Sequence, residues 1–69
     1  MKIEWEDGSN IRVTIDQGTA HISANKDGLL SLARQLTALA REPMGCHIHY
    51  DQYNSLEEGS SEMIIEKNR

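Results

Sequence analysis

The chain predicts a small α+β domain of order βββαββ, a mostly antiparallel sheet with one helix packed on one face. Three observations carry this expectation. Apolar and polar residues alternate as far as Ala24, the apolar spacing lengthens to three and four residues between Leu29 and Ala40, and alternation returns after Gly45. Sixty-nine residues hold one hydrophobic core and no second, so residues 1–69 are expected to form a single domain.

Ile3 and Trp5 alternate with Lys2, Glu4 and Glu6, which predicts a first half-buried strand with Trp5 turned under the helix. Asp7-Gly8-Ser9-Asn10 is a turn signal, because glycine after aspartate supplies the positive φ of a tight turn. Ile11, Val13 and Ile15 alternate with Arg12, Thr14 and Asp16 in the clearest strand of the chain. Gln17-Gly18 forms a second short turn, after which Ala20, Ile22 and Ala24 alternate with Thr19, His21 and Ser23. Leu29, Leu32, Ala33, Leu36, Leu39 and Ala40 then lie on one stripe of a helix. Asn25 or Asp27 caps its start, Arg41 sits where a cation suits the dipole, and Pro43 stops it. Cys46, Ile48 and Tyr50 face one way on the next strand, with His47, His49 and Asp51 facing the other. A polar segment, Gln52 to Gly59, leads to a last strand from Ser61 to Lys67. The crossover through the helix predicts that the strand after it runs parallel to the strand before it, the others being antiparallel to their sequence neighbours, without fixing the strand order.

Eleven carboxylates against seven Lys and Arg give a formal charge of −4. Phosphate backbones repel such a surface, so no nucleic-acid partner is expected. No apolar run approaches the ~20 residues of a membrane span, and Met1-Lys2-Ile3-Glu4-Trp5 is not a basic segment followed by an apolar one. The expectation is therefore a cytoplasmic protein without a membrane partner. Cys46 is the only cysteine, which excludes an internal disulfide and a thiolate metal cluster within one chain.

No enzyme signature emerges, and no cofactor is implied. Cys46 and His47 adjoin in sequence but point to opposite faces of a strand, so they cannot act as nucleophile and base. Cys46 instead falls in phase with Ile48 and Tyr50 as a small core residue. His47, His49 and Asp51 share a face and offer ligand types that zinc accepts, an alternative that lacks a fourth ligand and second-shell partners. The simpler reading of that face is a solvated one. The last strand is apolar at Met63, Ile64 and Ile65, so either Ile64 or its two neighbours must also reach the face away from the helix. Tyr53 stands near Asp51, Glu57 and Glu58, either as an interface anchor or closing the loop over a sheet edge, while Leu56 packs inward.

From Gly28 to Lys67 the chain resembles a family of bacterial immunity proteins, immunity protein 32, predicted to accompany polymorphic toxins. The resemblance rests on the helix Gly28-Leu29-Leu30-Ser31-Leu32-Ala33 with Leu36 and Leu39-Ala40, and above all on the run from His47-Ile48-His49-Tyr50-Asp51 through Ser55-Leu56-Glu57-Glu58-Gly59. Glu62 and Ile64-Ile65-Glu66-Lys67 continue it. It implies a non-catalytic cytoplasmic inhibitor that binds and neutralises a cognate toxin. Exposure and charge then select Asp51, Tyr53, Glu57, Glu58, Glu62, His47 and His49 as partner-binding residues, an acidic patch suited to a basic toxin. Monomer and homodimer both remain open, the latter through a strand edge or the apolar last strand.

Overall fold

A computed structural model describes residues 2–69. The elements run β1 (Ile11–Asp16), β2 (Thr19–Ala24), α1 (Lys26–Ala40), β3 (His47–Tyr50) and β4 (Met63–Glu66). The class is α+β as predicted, but the order is ββαββ, with the strands in two antiparallel hairpins, β1–β2 and β3–β4. The strands on either side of the helix, β2 and β3, are not ladder neighbours. β2 pairs with β1, and β3 with β4.

The β1–β2 hairpin closes at Asp16 opposite Thr19, with Gln17 at φ 50° and Gly18 at φ 81° between them. Positive φ at both central residues matches the right-handed twist of the flanking strands. Gly18 adopts it freely, whereas the Cβ of Gln17 makes the same conformation costly. Gln17→Asn should therefore raise stability by about 0.5 kcal/mol, because asparagine tolerates this region better. A higher urea midpoint at unchanged slope is the expected result.

The Asn25 amide donates to the Asn10 carbonyl (3.2 Å), which sets the phase of the β1–β2 ladder. Arg12 and Thr14 thus bond toward β2, while Ile11, Val13 and Ile15 turn their backbone groups to the other edge. That edge is occupied by residues 57–61. The Glu57 amide donates to Ile11 O and the Ser61 amide to Val13 O, both at 2.8 Å. The Val13 amide donates to Ser60 Oγ at 3.2 Å. This seam runs in the same direction as β1 and joins the two hairpins.

Asn25 caps α1, its Oδ1 accepting from the amides of Gly28 (2.8 Å) and Asn10 (3.1 Å) while its Nδ2 donates to Gly8 O (2.8 Å). Gly28 thus lies inside the helix, where its lack of a side chain lets α1 approach β1. At the other end Arg41 is the cap residue, and the cation at the helix terminus is Lys67, whose Nζ donates to Ala40 O at 2.8 Å.

The predicted first strand is not one. Residues 3–6 are extended but bond to helix side chains rather than to a neighbouring strand. The Glu6 amide donates to Ser31 Oγ (2.9 Å), and Gln35 Nε2 donates to Glu4 O (2.8 Å). Arg34 pairs with the Glu6 carboxylate. These bonds rotate the buried face of α1 away from the purely apolar stripe. Gly28, Ser31, Leu32, Gln35 and Leu39 are buried, and Leu29 and Leu36 are exposed. Ser31 and Gln35 tolerate burial because both are fully bonded: Ser31 Oγ donates to Asp27 O, and Gln35 Oε1 accepts from the Tyr50 hydroxyl, each at 2.8 Å. Trp5 is half-buried beside this segment, its ring 6.1 Å from that of Tyr50 and steeply inclined at 80°. Ile11, Val13, Leu32, Leu39, Ile48 and Tyr50 form the core between helix and strands, and Leu56 closes it from the loop.

Candidate partner-binding surface

β3 alternates as predicted: Ile48 and Tyr50 are buried, His47 and His49 exposed. Cys46 precedes the strand, half-buried against the core. Ile64 lies opposite His49 and, at the centre of the apolar run, is the residue that reaches the outer face. His49 Nε2 lies 3.3 Å from Glu62 Oε2, an ion pair whenever the imidazole is protonated. His47 Nδ1 lies 3.5 Å from Gly45 O. A groove of about 430 Å³ runs along β3, walled by Ile3 and Trp5 on one side and by His47, His49 and Tyr50 on the other.

Asp51 ends β3 and organises the following loop. Its Oδ1 accepts from the amides of Tyr53 (2.9 Å) and Asn54 (3.0 Å), an arrangement in which a short carboxylate stands in for a backbone turn. Its carbonyl accepts from the amides of Ser55 (3.1 Å) and Leu56 (2.9 Å). Asn54 returns the contact, with Oδ1 accepting from the Asp51 amide and Nδ2 donating to His49 O, both at 3.1 Å. Further along, the Gly59 amide donates to Gln52 Oε1 at 3.0 Å, and Arg12 Nη1 donates to Glu58 O at 3.0 Å. Leu56 is buried, as its position in the polar segment predicts. The loop is therefore pinned at its start by Asp51 and Asn54, in its middle by Leu56, and at its end by the seam to β1.

What it presents outward is Tyr53, 88% exposed, together with the exposed side chains of Glu57, Glu58 and Glu62. Tyr53 does not close over a sheet edge. The Asp51 carboxylate is engaged within the loop, where it accepts from the Tyr53 and Asn54 amides and so fixes the backbone that carries Tyr53. His47, His49 and Asp51 do not converge on one point, and among the described residues no group of three or more His, Cys, Asp or Glu could hold a metal ion. Arg12, Gln52 and Ser60 support the loop and were not singled out from the sequence. The positions of Arg12 and Ser60 carry no sign of partners 46 and 47 residues away, and that of Gln52 none of its bond to Gly59.

No helix among the described residues is long and apolar enough to cross a membrane. Comparison with curated proteins and with solved structures finds no match. The family model of immunity protein 32 matches residues 19–68, which takes in β2, α1, β3, the pinned loop and β4. With most of its length matched, the chain belongs to the immunity protein 32 family.

Proposed function

We propose that this chain is a non-catalytic cytoplasmic inhibitor that binds a cognate toxin polypeptide through the pinned loop and the adjoining outer face of β3. Family membership supports a toxin as the partner. The observation that carries the choice of surface is Tyr53, almost fully exposed on a loop whose backbone is bonded at both ends. A large aromatic on a loop with a bonded backbone loses little freedom on filling a partner's pocket, and tyrosine is enriched among the residues that dominate interface energetics. Glu57, Glu58 and Glu62 add exposed negative charge on the same loop and just beyond it, and His47 and His49 are exposed on β3. A toxin with a basic active site complements it, and opposite charge speeds the encounter.

Co-expression with a toxin-like domain encoded by a neighbouring gene, where one is found, tests the reading. Growth should be restored by the wild-type chain, which should co-purify with the toxin. Tyr53→Ala should weaken binding by about tenfold or more, and the Glu57→Lys/Glu58→Lys double variant should slow association and reduce affinity by roughly tenfold at low salt. Unchanged affinity in both variants would move the binding surface elsewhere. Rescue without a complex would remove the inhibitor reading itself.

A further inference from the structure

The outer edge of β2 is bare along its whole length. The ladder phase that turns Ile11 and Val13 outward on β1 turns Ala20, Ile22 and Ala24 outward on β2. On β1 those backbone groups meet residues 57–61. On β2 no backbone or side-chain group among the described residues takes the amides and carbonyls of Ala20 and Ile22. The outer edges of the other hairpin differ: on β3 Asn54 Nδ2 donates to the His49 carbonyl, and β4 ends on the charged Glu66 followed by Lys67. Edge strands of soluble proteins are ordinarily blunted by lysine, proline, a bulge or a cover. Thr19-Ala20-His21-Ile22-Ser23-Ala24 has none of these.

The apolar surface beside this edge is also uncovered. Ser31, Arg34 and Gln35 occupy the flank of α1 that holds residues 4–6 near β3. Leu29 and Leu36 therefore occupy the opposite flank, on the β2 side. They and the strand residues Ile15 and Ile22 are all between 40% and 60% exposed.

We infer that the β2 edge is a self-association surface, on which a second copy of this chain pairs antiparallel to β2 about a two-fold axis at Ile22. Charge favours this occupant. The chain carries −4, so most of its faces repel another copy, but Thr19 to Ala24 contains no charged residue. Symmetry is satisfied as well. With Ile22 opposite Ile22 of the second copy, Ala20 falls opposite Ala24 and His21 opposite Ser23, so no like charges meet and the small alanines let the apolar flanks of the two helices approach. The joined hairpins form one continuous sheet, and both pinned loops remain free on its far sides. Six strand residues give an edge ~20 Å long. With the helix flanks, a pair covers on the order of 1,000 Å² in total, the small end of specific interfaces, as for a weak and concentration-dependent pair.

The inference does not depend on the toxin reading, and its test needs no toxin. Sedimentation of the full chain from about 1 μM to 1 mM should show the mass rising from 7.8 kDa toward twice that value. Ile22→Lys and Ile22→Glu should each weaken the pair by at least ~tenfold alone, and an equal mixture of the two should restore it, because opposite charges then face each other at the axis. Ala20→Pro removes an amide from the bare edge without touching the β1 ladder and should weaken the pair similarly. A monomer at every concentration would overturn the inference. So would a dimer indifferent to these substitutions, or charged variants that do not recover on mixing.

Discussion

Tyr50→Ala is expected to leave the chain largely unfolded at 25 °C. Tyr50 is 0% exposed and is the largest fully buried side chain. Truncating a buried aromatic costs about 3–5 kcal/mol, and a domain of this size has only roughly 3–10 kcal/mol in total. The loss has three parts: the cavity, the inclined contact with Trp5, and the stranding of Gln35 Oε1 without its donor. Since Gln35 also tethers Glu4 O, the N-terminal segment should detach with it. Tyr50→Phe isolates the hydrogen bond and should cost about 1–2 kcal/mol at neutral pH.

The same pair of variants fixes the alkaline behaviour. Burial raises the Tyr50 pKa above its ordinary value, so the folded state holds the phenolic proton more tightly than the unfolded state does. That contribution to stability is complete below a pH of about 10, where the unfolded phenol titrates, and is lost as pH rises through the folded value. Urea titrations followed by Trp5 fluorescence should show wild-type stability falling above that pH and a smaller fall in Tyr50→Phe. An identical alkaline slope in both proteins would assign the loss to another group.

Gly28→Ala should destabilise the fold although alanine is the better helix former. A Cβ at this position would sit 2.6 Å from Asn10 O, 3.0 Å from Ile11 Cγ1 and 3.1 Å from Asn25 Oδ1. The nearest atom is backbone and already accepts the Asn25 amide, so it cannot withdraw without loosening both the cap and the start of the hairpin. Against a gain of about 1 kcal/mol in helix propensity stands an overpacking cost of about 3 kcal/mol. The net loss of about 2 kcal/mol should lower the melting temperature by roughly 10 °C. A melting temperature at or above wild type would mean that the helix rides further from β1.

These two positions show what could and could not be seen in the amino-acid order. The alternation of Cys46, Ile48 and Tyr50 identifies the buried face of β3, Pro43 marks the helix end, and the start, open between Asn25 and Asp27 in the sequence, falls at Asn25. Gln17-Gly18 and Asp7-Gly8 were recognisable because turn chemistry is local. Residues 3–6 were misassigned because alternation reports which side chains are apolar, not what satisfies the backbone. Here the partners are polar side chains of α1, 25 and 31 residues distant in sequence. The burial of Ser31 and Gln35 was invisible for the same reason, and it turned Leu29 and Leu36 outward against the expectation of the apolar stripe. Around the candidate site, the cluster from Asp51 to Glu62 was legible as charge and aromaticity. That Asp51 is spent on its own loop, while Tyr53 stands free, required the turn geometry.

The seam between β1 and residues 57–61 bears on the order in which the chain acquires its shape. Both hairpins and the helix are built from bonds between near neighbours in sequence, and such elements form in microseconds. The Ile11–Glu57 and Val13–Ser61 bonds link positions far apart along the chain, so they bear the loop-closure cost that local elements avoid. They should close late. The loop that carries Tyr53 and the glutamates is then completed only once both halves of the domain are in place, so a nascent or half-folded chain does not yet hold the surface proposed for the partner.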